Sequence, residues 1–154
     1  MATIYHQLWI NASVAKVYEL ISSAEGISRW WEKQTATRTD DGLIFEHNPG
    51  PEHGVVKLKV LEMVPNKRVE WECISIHNKT TPAFAWTGTH LTFELTEREK
   101  FAPANVSWAA AVPALVILDF HHSGWAESSD YFGFCNYAWA TVLQQLAQLC
   151  ESEE

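Results

Sequence analysis

The sequence predicts an α+β domain, an antiparallel sheet with one dry face covered by a single long C-terminal helix. Three observations lead to it. Tyr131 to Cys150 carries Phe132, Cys135, Trp139, Val142, Leu143, Leu146 and Leu149 at spacings of three and four, the period of one face of an α-helix, and no proline interrupts the run. Between Thr35 and Phe120 the apolar residues instead recur at every second position, the period of a strand. The chain has 154 residues, 47% of them hydrophobic and 19% charged, which fits one domain spanning residues 1–154 with a core large enough to need no staples. Twenty helical residues make a rod of about 30 Å. Such a helix draws its stability from packing, and the upstream strands are its partner surface.

Taken in order, Thr3 to Ile10 alternates, with Ile4, His6, Leu8 and Ile10 on one face and Thr3, Tyr5, Gln7 and Trp9 on the other. Asn11 or Ser13 caps a short helix whose stripe is Val14, Val17, Tyr18 and Ile21. A second helical turn, Ala24 to Trp31, ends in the pair Trp30 and Trp31. Strands follow at Thr35 to Thr39 and Leu43 to His47, joined by the Asp41-Gly42 turn. Gly54 to Val64 and Arg68 to His77 are joined through Pro65-Asn66-Lys67; Val56, Leu58 and Val60 alternate with lysines, and Val69, Trp71 and Cys73 with glutamates. Gly88 to Glu97 points Leu91, Phe93 and Leu95 inward. The last strand, Leu115 to His122, is expected to stop at Ser123-Gly124 before the long helix. Two connections are more apolar than solvated loops need to be: Asn78 to Ala85, leading into Trp86, and Arg98 to Ala114, with Phe101 and Trp108, read as an insertion that covers a cavity mouth or meets another subunit.

Composition narrows the function. Nineteen acidic residues against eleven Lys and Arg give a formal charge of −8, the wrong sign for a phosphate-tracking surface, so nucleic acid is not an expected partner. No apolar run is long enough for a membrane span, and the N-terminus lacks the basic flank and apolar core of a secretory signal. Cys73, Cys135 and Cys150 offer neither a CxxC pair nor a disulfide framework. A cytoplasmic protein with reduced, buried cysteines is expected, without a cofactor. The eight tryptophans are the unusual count, and they imply either a very aromatic core or a ring-lined cavity.

Strand, two short helices, six strands and a long helix is the order of the helix-grip fold, in which a curved antiparallel sheet of about seven strands wraps the C-terminal helix. INASVAKVYELIS followed by Trp30-Trp31, the strand end HHSGW and the helix segment YAWATVLQQLAQL resemble the SRPBCC, or START-like, superfamily. Within it they are similar to the branch of the C-terminal domain of the activator of the heat-shock-90 ATPase. That branch often carries Gly-Trp in the helix, where this chain has Ala138-Trp139, and a shorter hairpin in place of Arg98 to Ala114.

The resemblance implies an apolar or aromatic small molecule held between sheet and helix. Trp30, Trp31, Trp71, Trp86, Phe93, Phe120, Phe132, Cys135 and Trp139 are the candidate lining, with the N-terminal half of the helix as the ligand-facing part. By alternation His6 and His122 both point inward on strands that the fold makes neighbours, so they are the candidate polar handles, and His121 points outward. The superfamily also implies two alternatives: a cyclase- or aromatase-like enzyme with these histidines as acid and base, and a chaperone-associated protein. Glu46 to His53 carries two carboxylates and two imidazoles, but its spacing fits no metal pattern and it reads as a solvated loop. Ser13-Val14-Ala15-Lys16 matches an SxxK string without its partner motifs and reads as a helix start, while the glycosylation strings at Asn78 and Asn105 lack a secretory context. Trp9 on the outer face and Trp108 in the insertion lead us to expect a homodimer.

Overall fold

The computed structural model describes residues 1–98 and 115–152. Strands β1 (Ala2–Ile10), β2 (Thr35–Thr39), β3 (Gly42–His47), β4 (Val56–Val64), β5 (Arg68–Cys73), β6 (His90–Arg98) and β7 (Leu115–Trp125) form one antiparallel sheet in the order β1-β7-β6-β5-β4-β3-β2. Only β1 departs from sequential order, lying beside β7 at the far edge. Helices α1 (Val14–Ile21) and α2 (Ala24–Ile27) follow β1, and α3 (Phe132–Ser152) runs along the sheet's inner face. This is the helix-grip fold, with the curved sheet wrapped around α3.

Local chemistry starts each short helix. Ser13 Oγ accepts from Lys16 N at 3.2 Å, and Ser23 Oγ from Gly26 N at 3.0 Å, so each satisfies a free first-turn donor. Gly26 is there for closeness: a Cβ would sit 2.5 Å from the Glu19 carbonyl oxygen and 2.8 Å from Leu20 Cα. That contact turns the chain so that Trp30 is buried, its Nε1 donating to Leu20 O at 2.7 Å.

Several strand ends differ from the sequence reading: β4, expected from Gly54, starts at Val56, and three other differences have a local cause. β5 stops at Cys73 instead of His77, because Lys57 N, the donor that would continue the β4–β5 ladder, is taken by Ser75 Oγ at 3.0 Å. Residues 74–77 nevertheless keep the alternation, with Ser75 and His77 buried. β6 starts at His90 because Gly88, at φ +84°, turns the chain first. β7 runs through the expected break to Trp125: Gly124, at φ +89°, is the extra residue of a bulge, where Ala2 pairs with Trp125 and Thr3 with Ser123. The bulge puts Trp125, fully buried, into the core. The segment read as an insertion, with Phe101, Trp108 and the Asn105 string, lies outside the described residues apart from Arg98, the last residue of β6.

Inward residues of β3 to β7 meet Trp139, Leu143 and Leu146 of α3 in one core. On the sheet's outer face Tyr5 and Trp9 are 51% and 42% exposed. Their polar atoms are tied in a ladder: the Tyr5 hydroxyl donates to Asp119 Oδ1 at 2.6 Å, and Trp9 Nε1 to Gln7 Oε1 at 3.0 Å.

Candidate functional site: an indole-walled pocket

A pocket of about 290 Å³ opens between the N-terminal half of α3, the 3-10 turn Pro82–Trp86 and the end of β3. Four residues expected from the sequence line it: Trp31, Trp86, Cys135 and Trp139. Their rings make a wall. Trp86 stacks on Trp139 at 5.8 Å and 21°, Trp31 on Trp86 at 6.1 Å and 29°, and Trp31 meets Trp139 at 5.0 Å. Trp86 Nε1 donates to Cys135 Sγ at 3.4 Å, and burial pushes the Cys135 thiol up from its ordinary range, so it lines the wall as a neutral SH. A larger, more open hollow of about 660 Å³ lies beside Arg68, but it is a charged surface: Arg68 pairs with Glu62, with Glu70 at 2.7 Å and with Glu94 at 3.3 Å.

The other six expected residues lie elsewhere. Trp30, Trp71, Phe93 and Phe120 are at most 2% exposed and form a filled layer beneath the wall, with edge or tilted contacts such as Trp71–Phe93 at 4.9 Å and Phe93–Phe120 at 5.0 Å. The strands bring Trp71, Phe93 and Phe120 together, Val69 and Trp71 lying opposite Phe93 and Leu91 and Phe93 opposite Phe120, and Trp30 reaches them from the turn after α2, edge-on to Phe93 at 6.2 Å. Phe132 packs against Trp125 at 5.7 Å and 86°, away from the pocket lining.

His122 is also sealed, and its hydrogen bonds define its state. Trp139 Nε1–H donates to Nδ1 at 3.1 Å, so Nε2 carries the proton and donates to Thr89 Oγ1 at 2.8 Å, and Thr89 in turn donates to Trp86 O at 2.5 Å. Burial pushes this imidazole down to about 3. Both nitrogens are used, and the ring holds Trp139 and the 3-10 turn in place without reaching the pocket. His6 does not join it: His6 lies opposite Phe120 in the ladder and Ile4 opposite His122, and His6 Nε2 donates to Asn136 O on α3 at 3.2 Å. His121 is on the outer face beside Tyr5, with ring centroids 4.8 Å apart.

The polar side of the pocket comes from the stretch read as a solvated loop. His47 and His53 both line it, and His47 is only 6% exposed. The turn itself is real, with His53 N donating to Gly50 O at 3.1 Å, but His47 precedes it as the last residue of β3, two positions from buried Phe45 and on the same face. His47 Nδ1 meets Gln34 Oε1 at 3.1 Å, its ring lies edge-on to Trp31 at 4.6 Å, and burial, with His77 nearby, pushes it down to about 4. The signal was available, since the alternation that turns Phe45 inward turns His47 inward as well. Among the described residues no group of His, Cys, Asp and Glu is placed to hold a metal ion, and no helix is long and apolar enough to cross a membrane.

Residues 11–151 match the family model described as Activator of Hsp90 ATPase homolog 1-like protein. Among solved structures, the chain is similar to the Aha1 dimer from Colwellia psychrerythraea, with 26% identity over 98% of this chain and 97% of that one and a TM-score of 0.72. It is also similar to protein MLL2253 from Mesorhizobium loti, at 19% identity over 99% of each chain and a TM-score of 0.74. CalU16 from Micromonospora echinospora shares the fold at 14% identity, over 96% of this chain and 75% of that one, with a TM-score of 0.67. No curated protein matches the chain. The chain belongs to the Activator of Hsp90 ATPase homolog 1-like family.

Proposed function

We propose that this family member binds an apolar or aromatic small molecule against the indole wall of Trp31, Trp86 and Trp139. The observation that carries the reading is the wall itself: three indoles in mutual contact beside an open volume of about 290 Å³, roughly twice the ~150 Å³ cavity that holds a benzene. Burial of a ligand there supplies about 25 cal/mol per Å² of apolar surface, and flat rings suit the stacked faces. The three cysteines are free and buried, which suits a reducing, cytoplasmic setting.

The cyclase- or aromatase-like alternative gives acid–base work to His122 and His6. His122 has both nitrogens occupied and is held neutral, and His6 faces Asn136, so the binding reading is the better supported one. The family description also suggests a chaperone-associated role; co-sedimentation with a heat-shock-90 ATPase tests it. A homodimer remains part of the reading, supported by the exposed Tyr5 and Trp9 rings and by the dimeric Aha1 relative; light scattering at micromolar concentration tests it. The binding reading itself is tested by a thermal-shift screen of aromatic metabolites and lipids. Stabilisation by flat apolar compounds is expected, weakened by Trp86→Ala; the absence of any shift across the screen contradicts it.

A further inference from the structure

The geometry points to His47 Nε2 as a dedicated hydrogen-bond acceptor in the pocket, so that the ligand is a neutral aromatic molecule carrying a hydroxyl or similar N–H or O–H donor. This rests on the binding reading above and specifies its ligand class. The tautomer follows from a chain of obligatory roles. Gln34 Nε2 donates to Glu32 O at 3.0 Å, and a carbonyl oxygen can only accept; the amide is therefore oriented with Oε1 towards His47. Oε1 also only accepts, so His47 Nδ1, 3.1 Å away, must carry the proton. In the neutral ring Nε2 is then the lone-pair nitrogen. Gln34 and His47 are 5% and 6% exposed, which makes this a built pair and not a surface accident.

Nε2 has no hydrogen-bond partner among the described residues, and it is not one of their sealed, orphaned polar atoms, which are Trp71 Nε1 and Trp125 Nε1. What remains open of the ring faces the pocket it lines. A second proton on the ring is disfavoured, since burial and His77 hold it down at about 4, and Nε2 is therefore an acceptor at neutral pH. The lining contains no Lys or Arg and does contain Glu32, so a ligand carboxylate would meet a like charge and no permanent cation as it is desolvated. A donor on the ligand satisfies Nε2, whereas an ether or a bare hydrocarbon leaves it unmatched.

The test is calorimetric titration of the protein at pH 7.5 with 2-naphthol, 2-methylnaphthalene, 2-methoxynaphthalene and 2-naphthoate. The expected order puts 2-naphthol about tenfold tighter than 2-methylnaphthalene, its near-isostere without a donor, with the ether no better than the hydrocarbon and the anion weakest. In His47→Phe the naphthol preference should vanish while 2-methylnaphthalene still binds. Long-range nitrogen–proton NMR spectra of the wild type supply a readout independent of any variant, with His47 protonated at Nδ1 alone. Equal affinity for naphthol and methylnaphthalene in the wild type, or a proton on Nε2, overturns the inference and leaves the pocket reading standing. If none of the four probes binds, the pocket reading falls and this inference with it.

Discussion

Two halves of one aromatic layer behave differently here. Beneath the wall, Trp30, Trp71, Phe93 and Phe120 are closed to solvent and their rings meet at edges and tilts, filling space as a core does. A few ångströms away Trp31 and Trp86 are only partly buried, Trp86 stacks on both Trp31 and Trp139, and these rings border open volume. The residue types are the same; the supports differ. Strand ladders deliver Trp71, Phe93 and Phe120 to one face of the sheet, and Trp30 joins them from the turn after α2; the open rings arrive from that same turn, a 3-10 segment and the first half of α3, which leave a gap between them. Composition therefore does not separate core from site in this protein; the local backbone geometry that aims each ring does, as the neighbours Trp30 and Trp31 show within one turn.

The comparison breaks if the sealed half tolerates truncation. Trp71→Ala removes a ring with no exposure that touches Phe45, Phe93 and Trp31, and it should cost about 3–5 kcal/mol by urea denaturation. A loss below about 1 kcal/mol would mean that the layer is not packed as described.

Acid sharpens the same contrast through the two histidines. An unfolded imidazole titrates near 6.5, and burial holds His122 down to about 3 and His47 to about 4, so the folded state binds fewer protons below pH 6.5. Stability should be complete above that pH and fall as the pH drops, each ring costing up to about 1.4 kcal/mol per pH unit until its folded value is reached. NMR titration should find the pocket histidine protonating before the sealed one. The reverse order would contradict their assignment to the two halves.

The smallest stability effect belongs to the open half. Trp31→Leu keeps an apolar side chain at a partly buried position and should cost no more than about 2 kcal/mol, yet weaken binding of a flat aromatic probe at least tenfold by taking away one panel of the wall. Large destabilisation with unchanged affinity would place Trp31 in the core instead.

Much of this was readable from residue order, and the gaps have physical causes. The strand alternation and the three-and-four spacing in α3 placed Trp71, Phe93, Phe120 and Trp139 inward, because a period states which face a side chain occupies. It does not state whether the space facing that side is filled. Trp30 and Trp31 make the point: they are neighbours in a turn without a period, and a single close approach, Gly26 against Glu19 and Leu20, sends one into the core and leaves the other at the pocket. Gly124 reads as a strand end because a Ser-Gly pair signals a turn, whereas in the fold it is a bulge and the strand continues to Trp125. His47 was legible from Phe45 but was read with the prolines and glycine that follow it. His122 was correctly turned inward, but only its partners Thr89 and Trp139, which come from distant segments, reveal that it is a structural brace.

The most direct test of the division between wall and core uses the indole N–H signals of a nitrogen-15-labelled protein as 2-naphthol is added. The account predicts that Trp31, Trp86 and Trp139 shift progressively and saturate together, while Trp9, on the outer face, and Trp125, sealed behind His122, stay in place. Saturating shifts centred on Trp9 or Trp125, with the three wall indoles unmoved, would contradict it.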